Sequence, residues 1–366
     1  MSDSMQSFLG RHVRSGVMVL FWLILLLLGF QVLSGNGRSK PKLDVYNSYL
    51  TSTHFAIVED LSKGENLFFG TADGQALVKV KSNQRLSGPL IVNSSRLLFV
   101  EEVFSPIRRF SLLELNITAS KISCGRLFSS DQYIGVPAIM SGKHASEILF
   151  FSGQVFAGAS GNPVPTRRLS SYRDGMVSVF YGSAFSTISR LAQIDEDRFL
   201  GVSFSYDTLT ASEAGSSPYR DLQNNSLLAE GHIRNQSLEV KPAAIGRLKL
   251  ENVSGVSSNP DIDTVVIRSA DFSKNGSYTR FTIVQNSQIE SAESFLLPSE
   301  LSASGLFLSK DANDKIRVAM ITVNEDISDI DRSAYISEYV NGKPENTRLI
   351  KLNAASVFDT KNCRAK

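Results

Sequence analysis

LFFGTADGQALVKV, residues 67–80, decides how the rest of this 366-residue chain is read. Two runs rich in β-branched, aromatic and aliphatic side chains flank Asp73-Gly74, and glycine accepts the positive φ that a tight hairpin turn requires. The stretch therefore predicts an antiparallel hairpin. Upstream, HFAIVED at 54–60 reads as a further strand, and the polar segment RSKPKLDVYNSYLTST at 38–53 reads as a stalk leading into it.

Downstream the pattern partly returns as GPLIV at 88–92, RLLFV at 96–100 and SLLEL at 111–115. Further strands are expected at 134–140, 147–153, 176–182, 198–206, 244–250, 264–270 and 278–285, with two more hairpins at 305–323 and 336–353. The polar stretch 207–234 reads as a separator between two groups of strands. Long amphipathic helices have no place in residues 54–366. Many short strands with turn signals between them predict a closed or stacked all-β domain. An irregular repeat of roughly 30 to 50 residues favours a β-propeller over a sandwich.

Gly70-Thr71-Ala72-Asp73-Gly74, with its flanking LFF and ALVKV, resembles a blade hairpin of quinoprotein-type propeller repeats. The resemblance covers one blade well and the next poorly. Quinone-binding members of that group stack their cofactor on aromatic side chains, commonly Trp, beside a metal. The one Trp here, Trp22, lies outside the strand-rich region. The resemblance thus implies a non-catalytic member, acting as an envelope scaffold or interaction platform with no cofactor.

Residues 15–37, SGVMVLFWLILLLLGFQVLSGNG, carry no charged side chain. As a helix they would extend about 34 Å, enough to cross a hydrocarbon core of about 30 Å. They read as a transmembrane signal-anchor between a short cytoplasmic tail, 1–14, and an extracytoplasmic domain, periplasmic if the source is bacterial. A cleaved secretory signal ending near Val32-Leu33-Ser34 is the alternative, although the apolar run is long and carries bulky Phe21, Trp22 and Phe30. Arg11 and Arg14 precede the run while Arg38, Lys40 and Lys42 follow it, so orientation rests on the short length of the preceding segment. Both readings deliver the rest of the chain across a membrane.

Cys124 and Cys363 are the only cysteines. In an oxidising compartment they would form one disulfide; one buried and one exposed free thiol is the alternative. Closing more than 200 residues between them would restrict the unfolded chain by roughly 4 to 5 kcal/mol. Charge is nearly balanced, with 38 basic and 36 acidic side chains, which disfavours a nucleic-acid partner.

Signals for catalysis are sparse. His54, His144 and His232 are far apart and none has a metal-ligand partner at turn or helical spacing, so no metal is expected. Ser160 in GASGN only superficially resembles a nucleophile elbow. Asp195 and Asp197, Asp261 and Asp263, and Asp329 and Asp331 each form a D-x-D, a pattern more often a solvated turn than a grip on a metal and sugar-nucleotide phosphates. Glycosidase carboxylates supplied from different blades would leave no sequence signature.

The least ordinary polar region is 153–175, GQVFAGASGNPVPTRRLSSYRDG, which reads as a long Gly/Pro/Ser-rich loop. It gathers Arg167, Arg168 and Arg173 beside Tyr172, a set able to meet an anionic glycan through charge-assisted hydrogen bonds with the Tyr ring as a flat contact. A solvated connector is the plainer reading. The residues thus lead to a membrane-anchored binding or scaffold protein whose partners are the bilayer, through 15–37, and an anionic glycan or an envelope protein. A membrane-tethered carbohydrate-active enzyme, either glycosidase or glycosyltransferase, is the alternative.

Overall fold

Side chains alternate across a strand, so in Leu67-Phe68-Phe69 the first and third point one way and the second the other. All three are buried. A strand covered on both faces needs a continuous apolar run, and a sheet made of such strands needs a neighbour on each side. Six sheets of four or five strands arranged in a ring meet that requirement among the described residues. The structure, a computed structural model, describes residues 42–365 apart from 62, 105, 119–120, 154, 158–162, 166–167, 183–190, 205–225, 244–252, 274–275, 286–287, 299–300, 325–332 and 341.

In each sheet four antiparallel strands form one blade of a β-propeller, and three of the six blades add a fifth strand in parallel. Blade 1 comprises Lys42–Leu50, His54–Asp60, Glu65–Thr71 and Ala76–Ser82. Blade 2 comprises Arg85–Asn93, Arg96–Val103, Arg109–Ile117 and Ile122–Ser130. Blade 3 is built from Tyr133–Ile134, Ile148–Gly153, Arg168–Arg173 and Met176–Val179, and blade 4 from Ala192–Gln193, Arg198–Phe204, Ser226–Arg234 and Ser237–Pro242. Blade 5 runs through Val253–Asn259, Thr264–Ser273, Gly276–Gln285 and Gln288–Pro298. Blade 6 runs through Leu301–Lys310, Ile316–Asn324, Ala334–Val340 and Lys343–Leu349.

Core lies between blades rather than inside one sheet. Leu67, Phe69 and Val80 pack against Leu97, Phe99 and Leu113 of blade 2, while Phe68 packs with Phe55 and Ile57 against Ile321 and Ile336 of blade 6. The same division recurs around the ring. Phe150 faces Leu98 and Leu112 of blade 2, and its neighbours Leu149 and Phe151 face Phe199 of blade 4. Leu200 and Val202 meet Ile267 of blade 5, and Val266 and Phe281 meet Val318 and Met320 of blade 6. Burying one such side chain contributes about 1.5 to 3 kcal/mol.

The expected hairpin at 67–80 is present, with a longer turn than a two-residue Asp-Gly loop. Gly74 alone in the turn has positive φ, 94°, and its N–H bonds Thr71 O at 2.9 Å. That is a type I turn closed by a left-handed glycine. Asp73 accepts hydrogen bonds from the Thr71 hydroxyl and from the Gln75 N–H. A Cβ on residue 74 would stand 2.3 Å from Leu349 O, so glycine also admits the chain that arrives from blade 6.

That arriving chain closes the ring. Lys351 N–H bonds Gly74 O at 2.7 Å, Ala76 N–H bonds Lys351 O at 3.0 Å, and Arg348 donates to Ala72 O at 2.9 Å. Ser356–Asp359 then pairs parallel with Val78–Lys81 as a fifth strand of blade 1. Arg364–Ala365 pairs parallel with Gly125–Arg126 as a fifth strand of blade 2. Between them Cys363 is disulfide-bonded to Cys124, with Cα atoms 4.6 Å apart.

Several expectations change. Lys42–Leu50, read as stalk, is the innermost strand of blade 1, and buried Leu43, Val45 and Leu50 seat it on blade 6. The strand expected at 134–140 is reduced to Tyr133–Ile134 and one bridge at Ala138, because Gly135 and Pro137 interrupt it. Part of the loop expected at 153–175 is regular, since Leu169, Ser170 and Ser171 are buried in the strand Arg168–Arg173. Of the polar stretch 207–234, Ser226–Arg234 is the third strand of blade 4, and 207–225 lie outside the described residues. The run 15–37, Ser160, Arg167, the strand expected at 244–250 and Asp329 and Asp331 lie outside the described residues. Among the described residues no helix is long and apolar enough to cross a membrane.

Two predictions follow from the junction of blades 1 and 2. Replacing Cys124 and Cys363 with Ala should lower unfolding free energy by about 2 to 5 kcal/mol, read from urea titrations, and should expose the segment 350–365 to limited proteolysis. Glu65 accepts a hydrogen bond from the Leu86 N–H across this junction. Burial pushes its carboxyl up to about 7 from 4.5, against the opposing pull of that N–H and of Arg85. Between those pH values the folded state holds a proton that the unfolded state has released, so this contribution is full below 4.5 and is lost as pH rises through about 7. Glu65→Gln should flatten that fall, as measured by urea midpoints at several pH values across the window.

Candidate functional site: the central channel

The innermost strands surround a cavity of about 580 Å³. Residues 46–51 of blade 1, 254–259 of blade 5 and 304–308 of blade 6 form most of its wall, with 136–140 and 191–193 completing it. Ladder irregularities shape that wall. β-Bulges re-aim side chains and free backbone groups, and three of the innermost strands carry one facing the cavity.

In blade 1 the register shifts between Asp44 and Ser48. Asp44 Oδ1 accepts the N–H of Tyr46 at 3.1 Å and of Asn47 at 3.2 Å, holding the bulge shut on itself. Tyr46 is thereby left 61% exposed at the cavity. Asn47 turns the other way, accepting from Gly88 N–H at 2.8 Å and donating to Leu86 O at 3.4 Å, so the bulge is fastened to blade 2.

In blade 6 the shift falls between Ser304 and Phe307. Gly305 there has φ of 62°, and a Cβ on it would approach Ser48 Oγ to 2.8 Å. Blades 6 and 5 are tied at the wall by Ser257 Oγ donating to Leu306 O at 3.2 Å and Asn259 Nδ2 to Leu308 O at 2.9 Å.

In blade 5 the shift lies between Val253 and Gly255, and Gly255 is the cross-strand partner of Arg268. A Cβ at 255 would stand 3.1 Å from Arg268 Nη2, so the missing side chain is the space the guanidinium occupies. Arg268 is 7% exposed. It donates from Nε to Ser254 Oγ at 2.9 Å, from Nη2 to Ser254 O at 2.9 Å and from Nη1 to Ala303 O at 2.6 Å. The Tyr46 ring lies over it, with 5.0 Å from the guanidinium carbon to the ring centroid. Burial pushes its pKa down, yet a guanidinium remains cationic in proteins.

Asp261 is the one carboxylate among the described residues lining the cavity. Arg268 could not be singled out from composition or from a motif. Its signal is a charged residue inside the apolar run VVIRSA at 265–270, opposite a glycine in SGV at 254–256.

Of the set expected at Arg167, Arg168, Tyr172 and Arg173, the structure describes the last three, which lie along one strand. Arg168 and Arg173 are exposed at opposite ends of one strand, roughly 17 Å apart at the strand rise. Tyr172 stacks on Phe128 of blade 2, with centroids 5.4 Å apart and planes at 16°, and forms part of the core between blades 2 and 3. Arg173 Nε lies 3.6 Å from Asp174. Two of the D-x-D pairs are structural turns. Asp195 accepts from the Asp197 and Arg198 N–H groups and from Arg198 Nε. Asp261 lies within the short 3-10 turn Pro260–Ile262 that Asn259 caps, and Asp263 ends it.

A second cavity of about 390 Å³ sits between blades 3 and 4, lined by Lys143, His144, Glu147 and Asp197 among others. Lys143 pairs with Asp197 at 2.5 Å, and the His144 ring lies 3.7 Å from Glu147 and 3.8 Å from Asp197. Among the described residues no group of three or more His, Cys, Asp or Glu could hold a metal ion.

No protein-family model and no curated protein sequence matches the chain. Solved structures match it at the level of fold. TolB from Acinetobacter baumannii gives a TM-score of 0.47 at 12% identity, over 87% of this chain and 68% of that one. A mutant of the Synechocystis apocarotenoid oxygenase gives 0.45 at 12% identity, over 83% and 71%. The GH93 alpha-L-arabinofuranosidase of Fusarium graminearum gives 0.39 at 9% identity, over 74% and 87%. The chain's own sheet topology makes it an all-β, six-bladed β-propeller.

Gly305→Ala should cost about 1 to 2 kcal/mol, the penalty of a left-handed backbone for a residue with a Cβ. Urea unfolding measures the loss, and a change in midpoint with unchanged slope would show that the fold itself is retained.

Proposed function

We propose that this chain is a membrane-anchored, extracytoplasmic binding or scaffold protein whose propeller channel holds a ligand without turning it over, in the assembly of envelope or surface polysaccharide. The observation that carries this reading is the chemistry of the channel wall. Glycoside hydrolysis in most enzymes of that kind takes two carboxyl groups about 5 to 9.5 Å apart. The described lining supplies Asp261 alone, set among serines, peptide groups, two tyrosines and a buried arginine. Such a wall is suited to recognition through hydrogen bonds and a flat aromatic contact. The carbohydrate-active enzyme is therefore the less favoured reading.

Two further observations support the location. A disulfide between Cys124 and Cys363 persists in oxidising compartments and is rare in the cytosol. The uncharged run 15–37 has the length of a membrane span. The resemblance of residues 67–80 to quinoprotein-type repeats adds support for a non-catalytic platform, since Trp22 within that run is the only Trp in the chain.

In membranes from cells expressing the full chain, the protein should stay in the pellet after alkaline carbonate extraction, and deletion of 15–37 should release it. Protease added outside the inner membrane should digest the propeller. Incubation with acidic and neutral polysaccharides should retain the protein and generate no new reducing ends. Release of reducing ends that is abolished in Asp261→Asn would replace binding with hydrolysis, and a protease-protected propeller would overturn the location.

A further inference from the structure

Six arginines elsewhere in the described structure are partly exposed and meet carboxylates. Arg96 pairs with Glu114, Arg108 with Glu102, Arg198 with Asp195 and Glu230, Arg280 with Asp271, and Arg317 and Arg348 with Glu338. These side chains are between 36% and 43% exposed. Arg268 is the reverse case, 7% exposed and bonded only to neutral oxygens, those of Ser254 and Ala303, among the described residues. The Tyr46 ring lies over the guanidinium, and Tyr46 opposes the lowering of its pKa by burial.

A buried cation without a counter-charge costs several kcal/mol, and natural folds pair such charges or use them. The surroundings here are built to hold the charge in place. Gly255 vacates the space beside Nη2, the bulge at 253–255 lets the side chain pass from the second strand toward the channel, and three neutral acceptors orient its plane. A guanidinium carries five N–H donors. Three are used, leaving one N–H on each of Nη1 and Nη2 beyond these described bonds, next to the cavity that Arg268 lines.

We propose that Arg268 is the receptor for an oxyanion, the carboxylate or phosphate group of a sugar-sized ligand that enters the central channel and lies against Tyr46. The oxyanion supplies the counter-charge that the described residues do not, and takes charge-assisted hydrogen bonds from the two remaining N–H groups. Tyr46, 61% exposed, covers one face of the guanidinium and offers its own ring and hydroxyl to the ligand body. Hydroxyls of Ser257 and Ser258 lie along the same wall. The cavity, at about 580 Å³, falls within the range of small-ligand sites, roughly 300 to 1,000 Å³. This assignment rests on the channel-binding reading above and names the charge its ligand carries.

The test uses the purified full chain, with glucuronate, inorganic phosphate and a neutral glucose oligosaccharide as probes at constant ionic strength held by chloride. Calorimetry and thermal unfolding should show saturable binding of glucuronate, of phosphate or of both; glucuronate alone identifies a carboxylate ligand and phosphate alone a phosphorylated one. Arg268→Met should weaken that binding at least tenfold while keeping the circular-dichroism spectrum and a melting temperature no lower than the parent without anion. Gly255→Val, which retains the charge and displaces the guanidinium, should weaken it similarly and serves if the Met variant fails to fold. Equal anion affinity in the folded Arg268→Met protein overturns the proposal. So does binding of the neutral oligosaccharide with neither anion, which would leave the channel-binding reading standing. Absence of binding by all three probes overturns the oxyanion site and counts against the channel reading as well.

Discussion

Ring closure is the constraint on which the other features depend. In a propeller each blade is stabilised by its two neighbours, so the first and last blades must meet or two apolar faces are left in water. Here the four antiparallel strands of blade 1 and those of blade 6 are each contiguous in sequence, with none exchanged between the two blades. The seam is held instead by the cluster joining Leu43, Phe55 and Phe68 to Ile321, Val323 and Ile336. The chain beyond blade 6 then passes over the 71–76 turn, adds a parallel strand to each of blades 1 and 2, and ends in a covalent bond to blade 2. A link between residues separated by 239 positions acts mainly by restricting the unfolded chain. The strand pairings that precede it place the two sulfurs together.

Closure also determines where polar chemistry can sit. Faces between blades are filled by Phe, Leu, Ile and Val, so functional groups are confined to the rims and to the innermost strands. Those strands are held on one side only by a ladder partner and can tolerate irregular register. The bulges at 44–48, 253–255 and 304–307 all occur there. Each depends on a particular local residue: the Asp44 carboxylate that caps its own bulge, Gly255 opposite Arg268, and Gly305 with its positive φ. The result is a channel wall with a tyrosine, serines and a cation supplied by three different blades. The physical logic is that of many binding sites, in which a rigid scaffold presents a few exceptions to its own regularity.

The strand-rich class was legible because short apolar runs and turn residues are local signals. Residues 67–80 show both the strength and the limit of such reading. Their strands are as expected, but the turn is longer than Asp73-Gly74 alone implies, since Leu349, Lys351 and Arg348 dock on it from nearly 280 positions away. Lys42–Leu50 was misread as stalk because an innermost strand facing a channel carries polar residues on one side, which breaks up the apolar pattern. The arginine-rich segment near 168–173 shows a different limit. Its charges are conspicuous in sequence, whereas the strand separates Arg168 from Arg173 and Phe128 takes the face of Tyr172.

The residues by themselves determined an all-β domain, a hairpin at 67–80, an uncharged run at 15–37 and a single pair of cysteines, because each of these depends on side chains close in sequence or on simple counts. Only the tertiary structure decided that there are six blades, that Cys124 and Cys363 are joined, and that Arg268, Ser254, Ala303 and Tyr46 share one place. Those facts depend on contacts between blades, and the partners can stand well over 200 positions apart in the sequence. A propeller's centre is where the beginnings of its blades converge, so its chemistry is distributed along the chain and becomes a site only when the ring shuts.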